Sequence, residues 1–149
     1  MTIFEQDIKF MRAALDEAQR AFDADEIPIG AVVVCQGRII GRGHNLTEML
    51  NDVTAHAEMQ AITAATNTIG GKYLQDCTLY VTVEPCMMCA GAIGWSQLSR
   101  IVYGASDEKR GYSTFTHRSP FHPRATITPE VLADECRELM QRFFASKRR

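Results

Sequence analysis

Apolar residues at Phe4, Ile8, Met11, Leu15, Ala18 and Phe22 recur at intervals of three and four, which predicts an amphipathic first helix with one buried face. The period then changes. In IGAVVVCQGRIIGRG two β-branched runs flank Gln36-Gly37, predicting strands over 30–35 and 38–43 joined by a tight hairpin, with HNLTEMLNDV following as a loop. Thr54 offers a cap for a second helix through AHAEMQAITAAT, and Gly70-Gly71 ends it. TLYVTV (78–83) has the short, apolar, β-branched character of a buried strand. Pro85, tolerated in a first helical turn because it has no N–H to leave unpaired, starts a third helix from about Cys86 to Ser96. RIVYG (100–104) is a further strand. After an irregular stretch, TPEVLADECRELMQRFF opens with a Thr cap and a Pro, and keeps helical spacing at Val131, Leu132, Cys136, Leu139, Met140 and Phe143. This order implies an α/β fold in which a mixed sheet is flanked by helices.

The chain has 149 residues, a length that fits a single domain, 1–149, able to bury its own core without disulfide staples. Its N-terminus carries acids throughout and lacks the basic and apolar regions of a secretory signal. No later stretch approaches the length of a membrane span, so the expected compartment is the cytoplasm. There the five cysteines, an odd number, are better explained by metal or redox chemistry than by a disulfide framework. Charge adds a second clue. The formal net charge of −2 hides two acid-free segments, 109–129 and 139–149, which together hold half of the 16 Lys and Arg residues, while all 18 acids lie elsewhere.

The closely spaced pair is Cys86 and Cys89, in TVEPCMMCAGA. At the start of a helix an i, i+3 pair can face one target, and the positive end of the helix dipole favours the thiolate that binds a metal. A strand leading into CxxC also describes a redox site, but that reading leaves His56-Ala57-Glu58 without a role. A structural zinc would want four protein ligands, and the chain has no second CxxC. His56, Cys86 and Cys89 make three, the number found around a catalytic zinc that keeps its fourth position for water. Residues two apart on a helix point to nearly opposite sides, so His56 and Glu58 reach one metal only if it lies off the N-terminal end of their helix. The zinc is therefore expected between the N-termini of helices 56–66 and 86–96, with Glu58 as the proton shuttle.

HAE followed by PCMMCAGAI is similar to the H-x-E…P-C-x-x-C signature of the zinc-dependent nucleobase deaminases. EIPIGAVVV, GHN, TAHAEMQAI, LYVTVEPCMMCAGAI, RIVYGASDEKRG and VLADEC resemble, over nearly the whole chain, the bacterial tRNA-specific adenosine deaminases of that superfamily. The resemblance implies a cytidine-deaminase-like three-layer α/β/α fold with a mixed five-stranded sheet, one zinc per subunit, and a homodimer. It implies that His56, Cys86 and Cys89 ligate zinc and that Glu58 transfers protons. It places Asn45, Ile29 and Ala57 around the substrate nucleoside, and Asp107 beside the nucleic-acid strand. The implied reaction is hydrolytic deamination of adenosine to inosine at the wobble position of a tRNA anticodon, by zinc-bound hydroxide. The segment KRGYSTFTHRSPFHPR adds Lys109, Arg110, Arg118 and Arg124, interleaved with Tyr112, Phe115, His117, Phe121 and His122, a combination suited to phosphates and splayed bases. It departs from the family's usual Gly-Ser and Leu-rich sequence after Gly111. An enzyme acting on a free base or nucleoside, such as guanine or cytosine, is the alternative.

Overall fold

The computed structural model describes residues 1–148; Arg149, the last residue of the basic tail, lies outside the described residues. The chain runs α1 (Ile3–Asp23), β1 (Gly30–Cys35), β2 (Arg38–His44), α2 (Ala57–Ile69), β3 (Cys77–Val83), α3 (Met87–Trp95), β4 (Arg100–Ala105), α4 (Tyr112–Phe115), β5 (Thr126–Thr128) and α5 (Ala133–Lys147). The strands form one sheet in the order β2-β1-β3-β4-β5. β1 pairs antiparallel with β2 and β3, whereas β3, β4 and β5 run parallel. The hairpin at Gln36-Gly37 has positive φ at both residues, 52° and 76°, the geometry whose twist matches the flanking strands.

Alternation along the strands divides the core into two layers. Ala31, Val33, Leu79, Val81 and Ile101 face α2 and α3, while Val32, Val34, Tyr80 and Val102 face α1 and α5. The result is the three-layer α/β/α arrangement with a mixed five-stranded sheet. No described helix is long and apolar enough to cross a membrane.

Several boundaries differ from the expected ones. The buried face of α1 is not the stripe from Phe4 to Phe22: Phe4 is 70% exposed, and the side turned inward carries Asp7, Phe10, Met11, Ala14, Glu17, Ala18 and Ala21. Two acids lie on that face because each has a polar partner within reach. Asp7 accepts two hydrogen bonds from the Arg100 guanidinium (2.7 and 2.6 Å) and one from the Tyr80 hydroxyl (2.8 Å), and Glu17 pairs with His44 at 3.0 Å. Removing one partner of such a network strands the others. Asp7→Ala should therefore lower the unfolding free energy by about 3 kcal/mol in urea denaturation; a loss under about 0.5 kcal/mol would mean that Arg100 and Tyr80 find water instead.

The last helix starts at Ala133, not at the Thr-Pro pair, because Thr128 belongs to β5, and Glu130 and Leu132 adopt positive φ (62° and 54°) in the turn between them. The stretch between β4 and β5 is not wholly irregular, since it holds the single turn α4.

What matters most for function is how closely α2 approaches β2. A Cβ on Gly41 would lie 2.4 Å from the Ala61 carbonyl oxygen, and one on Gly43 would lie 2.5 Å from that of Ala57. Glycine on the strand and the buried Ala57, Ala61 and Ala65 on the helix bring the two backbones together and fix where α2 begins.

Candidate metal centre

The sequence places His56 at one helix start and Cys86 and Cys89 at another, and the fold brings them together. The Nδ1 of His56 lies 3.6 Å from Cys86 Sγ and 3.5 Å from Cys89 Sγ, and all three ligand atoms lie within 4.8 Å of one another. A tetrahedral zinc with bonds of ~2.3 Å to sulfur and ~2.05 Å to nitrogen requires an N···S edge of about 3.6 Å. The observed edges meet that requirement, and one imidazole with two cysteine sulfurs suits this metal.

The local conformation explains how the side chains are freed. His56 is the N-cap of α2 and Cys86 the N-cap of α3, both with extended backbone (ψ 158° and 173°), and neither makes a side-chain capping bond. Thr54, the expected cap, instead donates through its N–H and hydroxyl to Asp52 Oδ1. Pro85 likewise stands before α3 rather than in its first turn. The missing cap of α2 comes from elsewhere: Asn45, at the end of β2, accepts from the Ala57 N–H through its side-chain oxygen (3.1 Å). His56 keeps its imidazole for the two sulfurs as a result. The cluster sits where two helix N-termini converge, which favours negative charge.

Cys86 and Cys89 share one proton unequally. The hydrogen bond from the Cys89 thiol, helped by His56, pulls Cys86 down to about 4, so it is a thiolate; the same contact, with burial, pushes Cys89 up, so it keeps its proton. The hydrogen bond to Cys86 raises His56. Glu58, in the first turn of α2, is buried, and burial raises it to about 7, with the Cys86 thiolate acting in the same direction. A carboxyl near neutrality can both take and return a proton.

The remaining expected residues fall in three groups. Asn45 is buried beside Ala57, which is fully buried, and its N–H donates to the Ile29 carbonyl (3.2 Å); Ile29 is half-buried against the core. Asp107 is occupied in shaping its own loop: its Oδ1 accepts from the N–H groups of Lys109 and Arg110, both at 3.0 Å, and its carbonyl accepts from Gly111. Lys109, Arg110, Arg118 and Arg124 are exposed, and none forms an ion pair among the described residues. The aromatic half of this segment differs from expectation. Tyr112 and Phe121 are buried, packing edge to face at 4.9 Å, and Phe115 is left exposed as a surface for stacking. Sequence reasoning missed Glu84, a buried acid next to Pro85 whose oxygens accept from the Asp107 N–H and from the N–H and hydroxyl of Ser113. An acid ending a buried apolar strand was the available signal.

Comparison with known proteins agrees with this geometry. The MafB19-like deaminase family matches residues 5–148. A tRNA-specific adenosine deaminase of Streptococcus pyogenes is 44% identical over 97% of this chain and 93% of its own. A structure from a study of A-to-I editing by tRNA:A34 deaminases at the wobble position superposes with a TM-score of 0.82 and 42% identity, over 88% of this chain and 98% of that one. A guanine deaminase of Bacillus subtilis matches less fully, with a TM-score of 0.63 and 42% identity over 66% of this chain and 63% of its own. The chain belongs to the family of tRNA-specific adenosine deaminases.

Proposed function

We propose that this protein, as a single deaminase domain, hydrolyses adenosine to inosine at the wobble position of a tRNA anticodon, using zinc held by His56, Cys86 and Cys89. The observation that carries this reading is the trio of ligand atoms, with both N···S distances of tetrahedral length, close in sequence and space to the buried carboxyl of Glu58. When bound, zinc supplies the Lewis acidity that makes a water molecule acidic near neutral pH. Glu58 takes the proton of the attacking water and gives it to the adenine ring nitrogen next to C6. It then carries the second proton to the C6 amino group, which leaves as ammonia, and one water is consumed for each inosine formed. The oxygen of Asn45 is committed to Ala57, so its amide N–H groups face the nucleoside, and Ile29 and Ala57 wall the base pocket.

The target nucleotide has to leave its stack to reach a site between two helix termini. Lys109, Arg110, Arg118 and Arg124 meet the phosphates, Asp107 shapes the loop beside the strand, and Phe115 offers a stacking face. The protein acts in the cytoplasm as a homodimer, a reading supported by the exposed apolar side chains that α3 presents, Met87, Met88 and Trp95, the last of them 85% exposed.

The deciding experiment incubates the zinc-loaded protein with an unmodified anticodon stem-loop carrying adenosine at the wobble position and detects inosine by nuclease digestion and mass spectrometry. Free guanine, cytosine, cytidine and adenosine run beside it in an ammonia-release assay. Inosine in the RNA with no ammonia from the small molecules is expected. Ammonia from guanine with unchanged RNA is the outcome that the partial likeness to a guanine deaminase allows, and it overturns the tRNA reading. Exposed, unpaired arginines give a second check. Arg118→Ala and Arg124→Ala should each weaken stem-loop binding and reduce the slope of log affinity against log salt by about 0.7, one phosphate contact on a single strand; unchanged slopes remove these arginines from the RNA path.

A further inference from the structure

Glu84 is 5% exposed and has no basic partner among the described residues. Its charge is met entirely by one loop. Oε1 accepts from the Asp107 N–H (3.1 Å), and Oε2 accepts from the Ser113 N–H (3.0 Å) and the Ser113 hydroxyl (2.6 Å). The backbone adds two more ties to the loop, since the Tyr112 N–H donates to the Pro85 carbonyl (2.9 Å) and Cys86 and Gly111 form an isolated antiparallel bridge, while the Glu84 N–H continues the pairing with β4 by donating to the Ala105 carbonyl (2.8 Å). Gly111 lets the two strands of chain approach: a Cβ there would lie 2.4 Å from Glu84 Cδ and 2.5 Å from the Asp107 carbonyl oxygen.

A cation would neutralise Glu84 through a flexible side chain and leave the loop free. Backbone N–H donors neutralise it only when the loop adopts one conformation, and a buried carboxylate left without them is strongly penalised. The loop so fixed runs from the end of β4 through α4, carries Lys109 and Arg110 outward, and is pinned to the residue, Cys86, that also reaches the candidate metal centre.

We propose that Glu84 is a positioning residue that clamps the 106–116 loop onto the Cys86 turn, setting the mouth of the site in the shape that grips an RNA strand. The effect of the clamp on RNA rests on the tRNA-deaminase reading, whereas the clamp itself does not. Losing it loosens substrate capture more than the chemistry, because Glu58 and the three ligand side chains stand on α2 and α3, outside the loop.

The test compares zinc-loaded wild type, Glu84→Ala and Glu84→Gln by hydrogen exchange, metal analysis and steady-state kinetics on the stem-loop. In Glu84→Ala, exchange across 106–116 should rise at least ~10-fold with α2 and β1 unchanged, zinc should stay at one per chain, and KM should rise ~10-fold with kcat within ~3-fold, the size of one charged hydrogen-bond set. Glu84→Gln keeps one acceptor oxygen and should recover part of both effects. Unchanged exchange in the loop overturns the clamp; so does a fall in kcat at constant KM accompanied by zinc loss, which makes Glu84 a support of the metal turn alone. If Glu84→Ala does not fold, Gly111→Ala presses the loop away from the other side and must give the same pattern. Wild type that makes no inosine refutes the tRNA reading, and the exchange data then decide the clamp by themselves.

Discussion

Glu58→Ala keeps zinc at one per chain and loses turnover by about 10⁴-fold, the upper range for a single general acid–base group. The upper range applies because the proposed mechanism uses one carboxyl twice, first as base toward water and then as acid toward the leaving ammonia. Glu58 is buried and raised to about 7. Zinc should remain because none of the three ligand atoms is Glu58's, and removing a buried carboxylate from beside a thiolate relieves a repulsion. Glu58→Gln is the sharper comparison, since it preserves size and packing while removing the ability to exchange protons. Single-turnover inosine formation with metal analysis reads both variants. Activity of either within 10-fold of wild type would transfer the proton to another group.

The site was legible in the sequence because its chemistry is concentrated in two short motifs whose spacing restricts where a shared metal can lie. Residues 56 and 58 cannot share a helix face, so a shared metal was expected beyond a helix end, and the fold gathers the His56, Cys86 and Cys89 ligand atoms at the N-termini of α2 and α3. The details of that end were not legible. Thr54 has the chemistry of a cap and His56 does not, yet His56 occupies the capping position, because Asn45 arrives from β2 to satisfy the Ala57 N–H. Information of that kind is tertiary. The face of α1 was misplaced for a related reason: Asp7 and Glu17 read as polar until Arg100 and His44, many residues away, make them buriable. β5 is three residues long and is defined by its pairing with β4, so nothing local announces it. In the basic segment, the interleaved charged and aromatic residues suited phosphates and splayed bases. Tyr112 and Phe121 are used to anchor the segment instead, and that leaves the cations outside.

Cys86→Ala loses both the metal and turnover. In the proposed site three side chains share the ligation of zinc, and apparent affinities for cysteine- and histidine-rich zinc sites correspond to roughly 10–16 kcal/mol over four ligands, so one ligand is worth about 2.5–4 kcal/mol and its loss weakens binding by ~10²–10³-fold. Cys86 should lie at the high end of that range. It caps α3 with its side chain free of any capping bond, 3.6 Å from the His56 Nδ1, and its hydrogen bond with Cys89 lowers its pKa, which favours the thiolate a metal needs. Removing Cys86 therefore takes away one of two sulfurs and leaves one thiol and one imidazole in the cluster. Protons compete for the same atoms, so zinc uptake by wild type should release protons and weaken as pH falls. A chelator competition series checks the affinity. Cys35→Ala provides the control, because Cys35 lies at the hairpin end of β1 and takes no part in the cluster; it should retain full zinc and full rate. Wild-type zinc affinity in Cys86→Ala would move the metal off this cluster and with it the role of His56.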